Sequence, residues 1–190
     1  MRTSDTPPTI PVWDIFVRFF HWGTVIAFVL AYLTAEEWMA AHRLLGYVIS
    51  VLVLMRLIWG IIGTRHARFS SFLTTPTNTL KYLQELVRGT AARSIGHNPA
   101  GAWMIVAMLA CLLATTFSGM LMIAPAGKGP LAHTVIASLG GRWLEEIHET
   151  FANITVALAF LHVGGVMLSS RLHHENLVRA MLTGHKQVKP

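Results

Sequence analysis

Apolar residues arrive along the chain in four long blocks, separated by short polar or turn-rich stretches. The blocks are residues 15–33 (IFVRFFHWGTVIAFVLAYL), 42–63 (HRLLGYVISVLVLMRLIWGIIG), 101–124 (GAWMIVAMLACLLATTFSGMLMIA) and 147–169. Each approaches or exceeds the ~20 residues that an α-helix needs to cross a bilayer. A soluble bundle, the alternative, would show a polar stripe on every helix. Residues 44–55 and 101–124 carry none. The pattern therefore predicts an all-α integral membrane four-helix bundle, a single domain over residues 1–190.

The connections have patterns of their own. Residues 75–89 (TPTNTLKYLQELVRG) place Pro76 near a helix start, Leu80, Leu83 and Leu86–Val87 at helical spacing, and Gly89 as a stop. They predict a short amphipathic helix lying at a membrane surface. GHNPAG at 96–101 reads as the turn into the third span and APAGKGP at 124–130 as the turn out of it. LAHTVIASLGG, which follows, is expected to form a second interfacial helix. The first block is expected to be retained: Asp5, Asp14 and several prolines precede it, and no small-residue cleavage site follows it.

Composition supports this picture. Of 190 residues, 53% are hydrophobic and 13% charged, against about a quarter charged in an ordinary soluble domain. The single cysteine, Cys111, falls mid-span in the third helix. It has no partner for an internal disulfide and reads as a small packing residue.

Charge supplies the orientation. Arg2, Arg18, Arg65, Arg68, Lys81, Arg88, Arg93, Arg171, Arg179, Lys186 and Lys189 lie in the N-terminal stretch, the 64–100 loop and the tail after 169. The loops at 34–41 and 125–146 hold only Lys128 and Arg142, with Arg43 just inside the second span. The positive-inside rule then puts both termini in the cytoplasm. Glu36, Glu37, Glu145 and Glu146 face outward. The net charge of +6 describes one face meeting anionic membrane lipid. No nucleic-acid partner is expected.

Ten histidines is many for this length. Four of them, His21, His42, His148 and His162, lie inside predicted spans, where ionisable groups are costly and mark function by default. His66, His97, His133, His173, His174 and His185 fall in loops or at span ends and read as solvated or headgroup-level imidazoles. Topology sorts the four by depth: His21 with His162 near the inner face, His42 with His148 near the outer. His148 and His162 are fourteen residues apart, which is ~21 Å of rise within roughly 40° of whole turns, so both share one side of the helix. Two neutral imidazoles from different helices at one level are what a haem iron with two axial histidines requires. With only Glu149 nearby as a further ligand, zinc is less well served.

Other residues fit the same chemistry, each with a plainer alternative. Gly46 stands one turn after His42, Gly165 about one turn after His162, and Gly119 in the deeper half of the third span. They leave room for a flat porphyrin, or serve helix packing as small residues in membranes commonly do. Arg56 shares the face of His42 but lies at inner-pair depth, and Arg18 is one turn before His21. Both could meet haem propionates. Snorkelling to the headgroups is the competing role and is favoured for Arg18. Trp13, Trp22, Trp38, Trp59, Trp103 and Trp143 lie near span ends, as an aromatic belt does.

VWDIFVRFFHW at 12–22, HRLLGYVISVLVLMRLIWG at 42–60, TRHARF at 64–69, GHNPAG at 96–101, and IHETFAN with LH at 147–162 together resemble the prokaryotic cytochrome b561 family. That family includes the b-type subunits of nickel–iron hydrogenases and is similar to the membrane subunit of formate dehydrogenase. The tail HHENLVRAMLTGHK at 173–186 resembles one branch of it. The resemblance implies two b haems, ligated by one histidine from each of the first two helices and two from the fourth. Those positions fall on His21, His42, His148 and His162. It also implies exchange of electrons with quinone and with a periplasmic cytochrome c or catalytic redox subunit. No CxxCH or appended redox domain is present.

The expected function is therefore electron transfer and not self-contained catalysis. A superoxide:quinone oxidoreductase is the first alternative, disfavoured by acidic outer loops. A histidine-based metal or proton transporter is the second. Asp14, Arg18 and His66, near the cytoplasmic surface, are candidates for proton handling beside a quinone. Homo-oligomerisation is left open.

Overall fold

A computed structural model describes residues 8–188 of the chain; Arg2, Asp5 and Lys189 lie outside the described residues. In chain order the elements are strand β1 (Thr9–Pro11) and helices α1 (Ile15–Leu33), α2 (Met39–Ile62), α3 (Phe69–Phe72), α4 (Pro76–Val87), α5 (Pro99–Ile123), α6 (Trp143–Leu172) and α7 (Leu177–Thr183), then strand β2 (His185–Gln187). Short 3₁₀ turns at Ala124–Ala126 and Val135–Leu139 join α5 to α6. Four helices, α1, α2, α5 with its 3₁₀ extension, and α6, are long and apolar enough to cross a membrane.

The apolar blocks become these helices, and polar ends extend them. Helix α6 starts four residues before the block at 147 and ends three after it at Leu172. Glu145 and Glu146 in its first turn and Arg171 in its last complement the helix dipole, so the ends are helix-compatible although not apolar. Helix α4 forms where the amphipathic pattern predicts it, with Thr75 as N-cap and Pro76 in the first turn. The second interfacial helix does not form. Its sequence yields only the 3₁₀ turn Val135–Leu139, because β-branched residues open the segment and Gly140–Gly141 closes it before a second turn can build.

The chain folds as two compact units, with boundaries inside the four long helices. The first comprises the described residues up to Phe19, Ile58–Trp103 and those from His162 onward. Its buried core is Val12, Trp13, Val17, Ala67 and Ala180, against which Ile10, Trp59 and Met181 pack. Strand β1 pairs antiparallel with β2, Thr9 opposite Gln187 and Pro11 opposite His185. Gly184 makes the turn into this pairing at φ +85°, and a Cβ there would meet the Trp13 carbonyl at 2.6 Å. Only glycine fits that approach.

Two polar clusters hold this unit. Asp14 caps α1, accepting from the Val17 amide at 2.8 Å, and also accepts from Trp59 Nε1 at 3.0 Å and Thr64 Oγ1 at 2.6 Å. In the tail, Arg93 Nη2 donates to Glu175 Oε1 at 2.8 Å and to the Gln187 carbonyl at 2.7 Å. Lys186, 4% exposed, lies 3.4 Å from Glu175 Oε2 and donates to the Ser94 carbonyl. Burial opposes the Glu175 charge, but Arg93 and Lys186 outweigh it and hold the carboxyl below its usual value. His97 is not a solvated imidazole: it stacks between Trp13 and Phe72, each 4.5 Å away by ring centres.

The second unit comprises Phe20–Leu57 and Met104–Leu161. Val53 and Thr155 are its largest fully buried side chains, and Ile49, Leu52, Leu109 and Leu112 are buried too. Its buried hydroxyls bond back to their own helices: Thr115 to the Cys111 carbonyl, Thr116 to Leu112, Ser118 to Ala114 and Thr155 to Phe151, all at 2.7–2.9 Å. These four hydroxyls are thus satisfied without water. Cys111 is buried and packs as a small side chain. Val25, Ile26, Val29, Val51, Leu54 and Phe160 point outward, apolar surface suited to lipid.

Candidate functional site

His42, from the first turn of α2, and His148, from the second turn of α6, face one another in the second unit. Their ring centres are 5.9 Å apart and the planes 72° apart. Each ring is oriented by a backbone carbonyl. His42 Nδ1 lies 2.8 Å from the Ala31 carbonyl of α1, and His148 Nδ1 lies 2.8 Å from the Thr115 carbonyl of α5. Ser118 Oγ is 3.4 Å from the same His148 nitrogen. A carbonyl oxygen only accepts, so each Nδ1 carries the proton and donates it. Each Nε2 is left with its lone pair, the state in which imidazole binds a metal.

The carbonyls are available for structural reasons. Ala31 lies in the last turn of α1, where carbonyls lack an intrahelical donor. Thr115 lies mid-helix, and its carbonyl is shared, also accepting from Ser118 Oγ at 2.9 Å. Four helices therefore build this one site: two supply rings and two supply the groups that aim them.

A metal between two opposed imidazoles, bound at about 2 Å to each, puts the nitrogens roughly 4 Å apart and the ring centres about 6 Å apart. The 5.9 Å observed fits that arrangement. A macrocycle also needs space at its edge. At Gly46, one turn after His42, nothing lies within 4 Å of where a Cβ would stand. Gly119 meets a different demand: a Cβ there would be 2.9 Å from His148 Cε1, so its absence makes room for the ligand ring itself.

The other sequence-selected residues lie as follows. His21, on α1 in the second unit, is half-buried and meets Trp22 edge-on at 4.9 Å. His162, on α6 fourteen residues after His148, is half-buried and belongs to the first unit. At Gly164 and Gly165 nothing lies within 4 Å of a Cβ position. Arg56 is 2% exposed, a burial that a snorkelling side chain does not have. Arg18 takes a role that its sequence did not announce: its Nη2 donates to the Leu182 carbonyl of α7.

Asp14 and His66 separate in character. Burial opposes the Asp14 charge, but the donors from Thr64, Val17 and Trp59 prevail and lower its pKa. It is a fixed carboxylate clamp. His66 packs against Gly96, whose Cβ position is 3.1 Å from His66 Nδ1. Burial first, then the charges of Arg65 and Lys186, push its pKa down, so the ring is neutral at pH 7. The Ala31 and Thr115 carbonyls and the Ser118 hydroxyl escaped sequence reasoning. Every residue has a carbonyl, and only helix packing shows which ones meet a ring.

No curated protein and no solved structure matches the chain. Residues 12–184 match the family described as Prokaryotic cytochrome b561, and that span includes every described element from α1 to α7. With four membrane-length helices and a match that runs over residues 12–184, the chain belongs to the prokaryotic cytochrome b561 family, membrane cytochromes that bind haem b and transfer electrons.

Proposed function

We propose that the protein is a di-haem b-type cytochrome of the bacterial inner membrane, passing electrons between the quinone pool and a periplasmic cytochrome c or catalytic redox subunit. His42 and His148 would hold the outer haem, and His21 and His162 the inner one. Haem held by these histidines would supply one-electron exchange. The protein's residues do the rest. Ala31 and Thr115 hold the ligand rings in the Nδ1–H tautomer, and the apolar faces of the second unit exclude water. Buried Arg56 supplies a cation for a propionate. On the quinone side His66, neutral at pH 7, can accept a proton, whereas Asp14 stays ionised in its clamp.

The observation that supports this reading best is the His42–His148 pair, 5.9 Å apart with both Nδ1 atoms bonded to carbonyls. Redox-titrated spectra of the purified protein test it. The wild type should show two b-type centres. His42→Ala and His148→Ala should each lose the same centre, and His21→Ala and His162→Ala the other. Loss of one common haem in His148 and His162 variants would refute the pairing. The superoxide alternative is weakened by Glu36, Glu37, Glu145 and Glu146, all exposed, since they repel an anionic substrate at the outer face.

A further inference from the structure

Helix α4 meets three different surroundings. At about 100° per residue, Thr79, Tyr82 and Leu86 fall on one side; the first two are buried and Leu86 is half-buried. Roughly a quarter-turn away lie Leu80, Leu83 and Val87, which are 58%, 42% and 85% exposed. Thr77, Lys81, Gln84, Glu85 and Arg88 fill the remaining arc, with Lys81 and Glu85 paired at 4.0 Å. A helix between protein and water needs one apolar face. This helix has two, which suits one lying in the headgroup plane against its own protein, with hydrocarbon on the third side.

Between the exposed apolar face and α5 runs a groove of about 380 Å³, lined by Pro76, Thr79, Leu80, Leu83 and Trp103. It is shallow and open along one side, and its walls are almost wholly apolar. The Trp103 wall is fixed, because its Nε1 donates to the Thr74 carbonyl at 3.1 Å. Trp103 stands in the first turns of the membrane span Pro99–Ala126, so the groove is continuous with the lipid-facing surface. Lys81 and Arg88 lie on the polar arc of the same helix, cations of the kind that attract anionic headgroups at a membrane surface.

We propose that this groove holds one acyl chain of a membrane glycerophospholipid, making α4 and Trp103 a specific lipid site. The test is native mass spectrometry of the haem-loaded protein, taken from nanodiscs of phosphatidylethanolamine and phosphatidylglycerol into mild detergent. Wild-type protein should keep one phospholipid per chain through detergent exchange. Leu83→Trp, which fills the groove, should reduce that retention about tenfold with the haem spectrum unchanged. Val87→Trp adds the same bulk outside the groove and should retain the lipid. Equal retention in wild type and Leu83→Trp would overturn the proposal. So would a retained mass matching a quinone, or a groove covered by a second copy of the chain. Should Leu83→Trp fail to load haem, Leu80→Ser decides: at least threefold loss is expected, and unchanged retention sinks the idea.

Discussion

An imidazole in an apolar helix has two nitrogens to account for, and His148 accounts for both. The Thr115 carbonyl takes the Nδ1 proton, which leaves Nε2 with its lone pair in a ring centred 5.9 Å from that of His42. That orientation depends on what is missing beside it. Gly119 would place a Cβ 2.9 Å from Cε1 and 3.1 Å from Nδ1, so even alanine must displace the ring or its helix. Gly119→Ala is expected to cost about 1–3 kcal/mol by overpacking and to act on one centre: haem at the His42–His148 site should fall in occupancy or change its low-spin EPR signal, while the second haem stays as in wild type. Equal effects on both would show that the substitution acts through global packing. The histidines were legible in the sequence because an ionisable residue stands out in an apolar run. The glycine was legible only as a small residue, and its particular use required knowing which ring it faces.

At the scale of elements, lengths were easier to read than ends. Apolar runs of about 20 residues dictate spans, but α6 reaches 30 residues by adding polar turns at both ends. Asp14 shows how an end is fixed. As N-cap of α1 it satisfies the Val17 amide, and the same carboxylate binds Trp59 of α2 and Thr64 just beyond it. One residue therefore starts one span and anchors the end of another. Asp14→Asn should lower stability by about 1–3 kcal/mol at neutral pH, the scale of losing hydrogen bonds to a charged acceptor. The sign with pH follows from the lowered pKa. The clamp's contribution is fully present above the ordinary aspartate value of 3.8 and is lost as pH falls through the lower folded value. Thermal melts in detergent should thus show the wild-type advantage over Asp14→Asn shrinking in strong acid. An advantage that grows on acidification would contradict the clamp.

At the scale of the whole molecule, two independent features put the termini on one side of the membrane. Four spans require it by parity, and β1 pairs with β2 directly, Ile10 opposite Lys186. By the positive-inside rule, the excess of lysine and arginine in the connected loops would put that side in the cytoplasm. A C-terminal green fluorescent protein fusion should therefore fluoresce, and a C-terminal alkaline phosphatase fusion should be inactive. The same phosphatase placed in the loop at 125–142 should be active. The reverse pattern would invert the protein and exchange the outer and inner assignments of the haems.

The sequence by itself determined the class, the spans, the sidedness of charge and the four histidines within the spans, because each depends on composition or on periodicity within one segment. Its histidine spacing also led to the expectation that His42 lies beside His148, as it does. The tertiary structure alone decided which carbonyls orient His42 and His148, that Gly119 yields space to a ring, and that Arg18 binds α7. It likewise decided that the two short strands meet and that α4 closes a groove against Trp103. These features join residues far apart in the chain through backbone groups or packing faces. Such groups look alike at every position until the helices have come together.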